Sequence, residues 1–303
     1  MAQRVTIIVN PIKVDDLDGF RSTVNQALTE RGYDEPVWLE TTVDDPGYAM
    51  AKQVADDPVE LLVVAGGDGT VRIVCAELAH TEIPIAILPS GTGNLLARNL
   101  GIPLQVETAL SALLDGRTRV IDIVGVEGDG MDADRFTVMA GLGLDAAIMA
   151  DAPDPLKKRL GWAAYLVSAA KNLNHRSVRV RITVDDHPPL TRRARTVIVG
   201  NVGTLTADVA LLPDARPDDG LIDVVVLTPT RLSHWPGLAW RILTRSVAPD
   251  RHVHRLAGRR VHVEAARPMQ RQLDGDPIGP GRTLTAQVEQ DALSLRAPAE
   301  SDG

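Results

Sequence analysis

One cysteine, Cys75, stands in 303 residues. That excludes an internal disulfide and a thiolate metal cluster, and makes a reducing cytoplasm the default compartment. Cys75 itself falls in a helical pattern and reads as a small buried residue. No run approaches the roughly 20 apolar residues that a membrane-spanning helix needs. The β-like run inside MAQRVTIIVNPIK is too brief for a signal peptide. Neither a G-x-x-x-x-G-K-[ST] phosphate loop nor a G-x-G-x-x-G dinucleotide fingerprint occurs, and there is no internal repeat. His175, His187, His234, His252, His254 and His262 show no metal-ligand spacing; His252 and His254 alternate as strand residues on a solvated face. No nucleic-acid-binding module accompanies the arginines, so nucleic acid is not an expected partner.

What is present is ordinary in bulk and uneven in detail. Hydrophobic residues make up 44% and charged residues 24%, the balance of a globular chain whose length suits two domains. Net charge is −8, yet Leu156 to Gly200 holds ten Lys/Arg against two acids, and Arg231 to Gln272 nine Arg against two. Such basic stretches suit either an anionic surface such as phospholipid headgroups or a solvated face.

The first 125 residues or so alternate strand and helix. VTIIV, PVWLE, LLVVA and IPIAIL read as strands. Leu17, Phe20, Val24 and Leu28 recur at helical spacing up to Gly32, GYAMAKQVA is a second helix, and Val106, Ala109, Leu110, Leu113 and Leu114 line a further one closed by Gly116. Short continuous apolar strands between helices predict a parallel sheet covered on both faces. Past Val120 the pattern changes to RVIDIVGVEG, RFTVMAG, VRVRITVDD, ARTVIVG, LIDVVVL and RVHVEA, strands joined mostly by turns, as in an antiparallel sandwich or barrel. Helical patches over Pro155–Asn172 and His234–Ser246 interrupt them. TLTAQVE and ALSLRAP fit either half, and PAESDG reads as a disordered tail.

Chemistry concentrates where strands end. Gly66-Gly67-Asp68-Gly69-Thr70 lies at the carboxyl end of LLVVA and opens a helix with apolar Val71, Val74 and Leu78. Ligands of α/β sheets sit at such ends. Glycines let amides converge on an anion, and the helix start adds about half a positive charge. Phosphate is the expected guest, and Asp68 would repel it unless a cation such as Mg²⁺ lay between. The alternative is a tight turn in which Asp or Thr caps the helix. A second small-residue loop, SGTGNLLARNLG, follows the next strand.

VNP (Val9–Pro11), Thr41 in ETT, GGDGT, PSGTGNLLAR, PDARPDDGLIDV (Pro213–Val224) and QLDGDP (Gln272–Pro277), in this order, resemble the diacylglycerol kinase catalytic domain family, which includes soluble bacterial lipid kinases and sphingosine kinases. The resemblance implies an N-terminal three-layer α/β nucleotide-binding domain, NAD kinase-like, at 1–124 plus 283–298. It implies a C-terminal antiparallel β-sandwich lipid-substrate domain at 125–282, with 299–303 as tail, and ATP and lipid meeting between the domains. ATP would be held by Asn10, Thr41, Gly66, Gly67, Asp68, Gly69, Thr70, Val71, Arg72 and Thr92. Asp68 would join the Mg²⁺–ATP network, and Asp219 would bind a structural Mg²⁺ helped by backbone carbonyls near Arg216 and Leu221. Asp274 would be the base that takes the proton of the lipid hydroxyl. A cytoplasmic enzyme in peripheral contact with a membrane that presents its lipid is implied, with a homodimer left open.

Three positions depart from the family pattern. Leu95 stands where many members carry Asp, Asp276 replaces Glu in Asp-Gly-Glu, and Ile12-Lys13-Val14 replaces a glycine that often follows NP. PDARPDDGLIDV reads equally as an Asx-rich turn. PLKKRLGWAAYLVSAAKNL fits a membrane-surface helix or one packed on the sandwich, and HWPGLAWRILTR, with Trp235 and Trp240, an interfacial or lipid-lining helix. Two other functions stay open. One is a kinase for a soluble acceptor such as NAD; the other, on the strength of Leu95, is a catalytically silent lipid- or nucleotide-binding regulator.

Overall fold

A computed structural model of the chain describes residues 3–143, 177–204, 211–228 and 252–299. The helical patches at Pro155–Asn172 and His234–Ser246, with both candidate membrane segments, lie outside the described residues, as do His175 and the last four residues of the tail. The chain forms two compact units: residues 1–121 with 290–303, and residues 122–289.

In the first unit β1 (Val5–Val9), β2 (Val37–Glu40), β3 (Leu61–Gly66) and β4 (Ile85–Pro89) form a parallel sheet in the order β4-β3-β1-β2. β1, β3 and β4 are buried along their whole length, which is why they read as unbroken apolar runs. α1 (Leu17–Thr29) starts at Asp16, whose carboxylate accepts from the Gly19 amide at 3.0 Å, and buries Phe20, Val24 and Leu28. Phe20 meets Trp38 of edge strand β2 edge-on at 6.1 Å, and the Arg21 guanidinium lies 5.0 Å over the same indole. α2 (Tyr48–Asp56), α3 (Asp68–Glu77), α4 (Leu95–Asn99) and α5 (Val106–Leu114) complete the unit.

Pairing sets the location of the site. β1 pairs with β2 on one side and β3 on the other, with Val9 opposite both Glu40 and Ala65. Chain direction across the sheet therefore reverses between β1 and β3, the switch point beyond which such sheets bind ligands. The end of β1 delivers Asn10 there, and the end of β3 delivers Gly66.

The second unit is an antiparallel β-sandwich. β7 (Met139–Gly143), β10 (Thr196–Gly200), β11 (Ile222–Leu227) and β12 (Val253–Gly258) follow one another across one sheet. β8 (Val178–Val184) and β9 (Leu190–Ala194) form a hairpin. β13 (Arg260–Leu273) serves both groups: Val261 pairs with Val184 of β8, and past a register shift between Glu264 and Met269, Arg271 pairs with Leu142 of β7. A shift of that kind bends a strand. β5 (Arg117–Gly128) and β6 (Met131–Phe136) pair as a further hairpin. The core is almost wholly aliphatic, with Phe136 as the aromatic member among the described residues.

Two expectations change. RFTVMAG is not one strand: β6 ends at Phe136 and β7 begins at Met139, because the amides between them turn onto a carboxylate. TLTAQVE and ALSLRAP are one strand, β14 (Asp276–Ala297), whose end pairs with β4 at Leu295 and Ile85.

Arg296, near the end of β14, closes α5. Its Nε donates to the Leu113 carbonyl at 2.9 Å, and Nη2 to those of Leu114 at 3.0 Å and Gly116 at 2.7 Å. Those of Leu113 and Leu114 are carbonyls that a helix end leaves without intrahelical partners, and Gly116 follows the C-cap Asp115. Arg296→Met keeps the stem and removes these three charged hydrogen bonds to carbonyls and a longer one, from Nη1 to Thr118 Oγ1 at 3.4 Å, and is expected to destabilise the chain by about 1–3 kcal/mol. Urea unfolding checks this; an unchanged midpoint would show that water replaces the guanidinium.

Candidate active site

At the switch point Asn10 organises the first layer. Its side-chain oxygen accepts from the Ile12 amide at 3.2 Å, and its carbonyl from the Lys13 amide at 3.0 Å. It thereby caps a short 3-10 turn over Pro11–Lys13, in which Pro11 pre-sets the backbone. Asn10 Nδ2 donates to Thr70 Oγ1 at 3.4 Å, tying the turn to the glycine loop.

The glycine loop leads into α3 with Gly67 at the N-cap and no side chain capping the helix. Asp68, the one acid of its first turn, is turned elsewhere. Oδ2 accepts from the Asn94 amide at 2.9 Å and Oδ1 from the Leu95 amide at 2.6 Å, so Asp68 caps α4. The repulsion that called for a cation at Asp68 is met in part by these two amides. Because the Leu95 amide makes the bond, the departure at Leu95 leaves it intact.

Both glycine loops pack backbone against backbone. A Cβ on Gly91 would stand 2.7 Å from the Gly67 Cα, and one on Gly93 2.6 Å from Asp68 Oδ2. Asn94, left-handed at φ 50°, exchanges two 2.8 Å hydrogen bonds with the Gly91 backbone and closes the second loop into a ring. Of the remaining nucleotide-site expectations, Thr41 is buried at the end of β2, its amide on the Val9 carbonyl. Thr70, Val71 and Arg72 are buried and Thr92 is exposed. Asn10, the GGDGT segment and the second loop are thus brought together in one unit.

Asp274 lies in the other unit, 4% exposed and left-handed at φ 45° in the turn between β13 and β14. Its carboxylate receives four donors. Oδ2 accepts from the Thr137 amide and hydroxyl, both at 2.9 Å; Oδ1 accepts from the amides of Val138 at 2.9 Å and Met139 at 2.8 Å. Three consecutive amides are spent on one carboxylate, which accounts for the break between β6 and β7. Burial pushes the Asp274 carboxyl up to about 6, against the lowering pull of these hydrogen bonds.

Behind this turn lies a polar connection that the sequence reading missed. Asn201, fully buried after β10, donates through Nδ2 to the Thr137 carbonyl at 3.2 Å and to the Asp122 carbonyl at 3.0 Å. Asp122, also buried, donates its amide to the Pro217 carbonyl at 2.6 Å and accepts from the Gly220 amide at 2.8 Å. The signal was one acid inside the apolar run Val120–Val124.

Asp122 so fixes the loop carrying Arg216, Asp219 and Leu221. Asp219 Oδ1 accepts from the Leu221 amide at 3.0 Å. Burial first, then the charges of Asp122 and Asp218, raise the Asp219 carboxyl; burial with Asp219 and Asp214 raises Asp223 to about 6. Negative charge here is under-compensated. Among the described residues no three His, Cys, Asp or Glu side chains gather as a metal cluster, so a cation would need backbone carbonyls beside a carboxylate, the oxygen donors that Mg²⁺ and Ca²⁺ accept.

The architecture and these glycine loops define a two-unit kinase fold, and the comparisons identify it. The model of the diacylglycerol kinase catalytic domain matches residues 4–126, and that of the YegS C-terminal NAD kinase beta sandwich-like domain matches residues 137–297. The chain belongs to this family and is an enzyme of kinase type. A "Probable lipid kinase YegS-like" of Pseudomonas aeruginosa (strain UCBPP-PA14) is 36% identical over 79% of this chain and 77% of its own. The "Diacylglycerol kinase" of Bacillus subtilis (strain 168) is 30% identical over 90% of each. A crystal structure of a diacylglycerol kinase from Bacillus anthracis str. Sterne shares the fold at TM-score 0.74, 21% identity and 97% coverage of both chains. Yeast NADH kinase shares it at TM-score 0.52 and 12% identity, over 99% of this chain and 84% of that one.

The raised carboxyl of Asp223 gives a prediction with a definite sign. Above about pH 6 Asp223 is charged in the folded chain at a cost the unfolded chain does not bear; below its ordinary 3.8 it is neutral in both. Asp223→Asn should therefore stabilise the protein at pH 7–8 without divalent cations by on the order of 1 kcal/mol, discounted for partial exposure, and give nothing at acid pH. Added Mg²⁺ should remove the advantage. Thermal melts against pH check this; an equal gain at every pH would remove the electrostatic account.

Proposed function

We propose that this chain is an ATP-dependent lipid kinase that transfers the γ-phosphoryl group to a hydroxyl of diacylglycerol or a related lipid. The observation that carries the reading is the pair of interlocked glycine loops at the switch point, opening on a helix whose N-terminus no side chain caps. Orphan amides and the positive end of α3 suit a polyphosphate. In this reading Asn10, Thr41, Gly66 to Arg72 and Thr92 hold ATP. Family membership supports ATP dependence, and the relatives' names support a lipid acceptor. Mg²⁺ arrives with ATP and neutralises phosphate charge; a second cation would be held by Asp219 with the carbonyls of Arg216 and Leu221. The enzyme works in the cytoplasm, touching a membrane that presents its lipid. No helix among the described residues is long and apolar enough to cross one.

Phosphoryl transfer asks a protein mainly for alignment and charge neutralisation. With a carboxyl near 6, Asp274 is mostly ionised at neutral pH and suited to take the acceptor proton as attack proceeds, help typically worth 10²–10⁴-fold. For this to happen one lone pair must open. The Thr137 hydroxyl is the donor able to turn away, whereas the three amides are fixed. Saturation of Asp274 by four donors favours a second reading, in which Asp274 is the anchor that shapes the turn and exposed Asp276, two residues on, takes the proton.

One assay separates these. The chain is incubated with Mg²⁺, γ-labelled ATP, NAD and a total lipid extract, and Asp274→Asn is compared with Asp276→Asn after melts have shown both folded. Under the first reading Asp274→Asn loses about 10²–10⁴-fold in turnover and Asp276→Asn little, with the acid limb of wild-type kcat near pH 6. The reverse pattern assigns the proton to Asp276. Label appearing in NAD instead of lipid would make this a soluble-acceptor kinase. ATP binding without any labelled product would make it a regulator.

A further inference from the structure

The glycine loops contain no P-loop lysine, although a triphosphate carries several negative charges and a helix end offers only about half a positive one. Part of the local amide capacity is spent on Asp68, which takes the amides of Asn94 and Leu95. Of the nearby cations in sequence, Arg72 is buried in α3, and Arg98 donates through Nε to the Gly93 carbonyl at 2.9 Å. A full positive charge facing the loop has to come from another segment.

Lys13 is placed to supply it. A Cβ on Gly67 would stand 3.9 Å from the Lys13 Cε, so the end of this side chain lies over the glycine-loop backbone. The placement is built in by four features. The Asn10 amide donates to the Ala65 carbonyl at 2.8 Å, Asn10 caps the turn over Pro11–Lys13, Pro11 restricts that turn, and Asn10 Nδ2 holds Thr70. Asp15, Asp16 and Asp18 lie within five residues of Lys13, yet Asp16 faces the Gly19 amide. Among the described residues Lys13 has no ion-pair partner. A long flexible ammonium held beside uncapped amides, with no carboxylate of its own, is a point charge awaiting an anion.

We infer that the Lys13 ammonium binds the nucleotide's phosphates, standing in for the lysine that a P-loop carries within the loop itself. The inference rests on the nucleotide reading above.

The test uses the full chain, with Mg²⁺, in calorimetric titrations of ATP, ADP and adenosine against wild type, Lys13→Met and Lys13→Arg. Loss of one charge-assisted contact predicts about a 10- to 100-fold weaker ATP affinity in Lys13→Met, a smaller loss for ADP and none for adenosine. Lys13→Arg should recover most of the ATP affinity, melting temperatures should match wild type, and the ATP KM should rise with the lipid KM unmoved. ATP affinity within about two-fold of wild type in Lys13→Met would overturn the assignment. So would equal losses for ATP and adenosine, which indicate a role in shaping the loop. Wild type failing to bind ATP at all would sink the nucleotide reading itself, an outcome distinct from a silent Lys13→Met.

Discussion

Backbone amides concentrated on carboxylates organise both candidate sites. Asp68 takes two amides from the start of α4, and Asp274 takes three from the break between β6 and β7. A buried carboxylate needs such donors, because an ionised group away from water otherwise neutralises itself or costs several kcal/mol. The same demand dictates local backbone form: Asn94 and Asp274 both occupy the left-handed region, which costs roughly 1–2 kcal/mol and persists only where surroundings over-determine it. The carboxylate and the strained turn therefore hold each other in place. Removal of either acid would leave buried amides with no acceptor, so effects of such variants on turnover have meaning only beside their effects on stability.

This constraint propagates within the second unit. Thr137 presents its amide and hydroxyl to Asp274 while its carbonyl accepts from Asn201, and Asn201 also holds the Asp122 carbonyl. Asp122 in turn fixes the loop of Asp219 through Pro217 and Gly220. A continuous run of hydrogen bonds thus joins the under-compensated acidic loop to the turn of Asp274, through an otherwise aliphatic core. Low local dielectric strengthens such a network when satisfied and penalises it when broken. The Asn201 Oδ1 atom is buried without a hydrogen-bond partner, the one weak link in an otherwise satisfied chain of groups and a place suited to a buried water.

Much of the first unit was legible because its signals are local. Unbroken apolar runs gave the buried strands, and Leu17, Phe20, Val24 and Leu28 gave α1, of which the last three are buried. The glycine loops were legible too, since GGDGT and SGTGN mark close backbone approach. What stayed hidden depends on residues far apart in sequence. Nothing near Asp274 announces that Thr137, Val138 and Met139 will turn toward it, so RFTVMAG read as one strand. Nothing near Asp68 tells that the amides at the start of α4 will reach its carboxylate. Asp122 and Lys13 were missed for a similar reason: the meaning of each charge comes from a neighbour that another segment supplies.

The fold by itself leaves the acceptor open. Yeast NADH kinase shares this architecture at 12% identity, and the second unit matches an NAD kinase beta sandwich-like domain. The glycine loops cannot discriminate either, since a polyphosphate asks the same of any kinase. Discrimination has to come from the walls that meet the acceptor. An aliphatic sandwich core dominated by Val, Ala and Leu supports such walls without specifying them. A hydroxyl on a lipid presents one polar atom on a large apolar body, so an apolar surface and one well-placed carboxylate suffice. A dinucleotide brings many donors and acceptors, and a site that left them unpaired would bind it poorly. A loss of turnover on mutation would look alike with either acceptor, which makes the identity of the labelled product the observation that separates them.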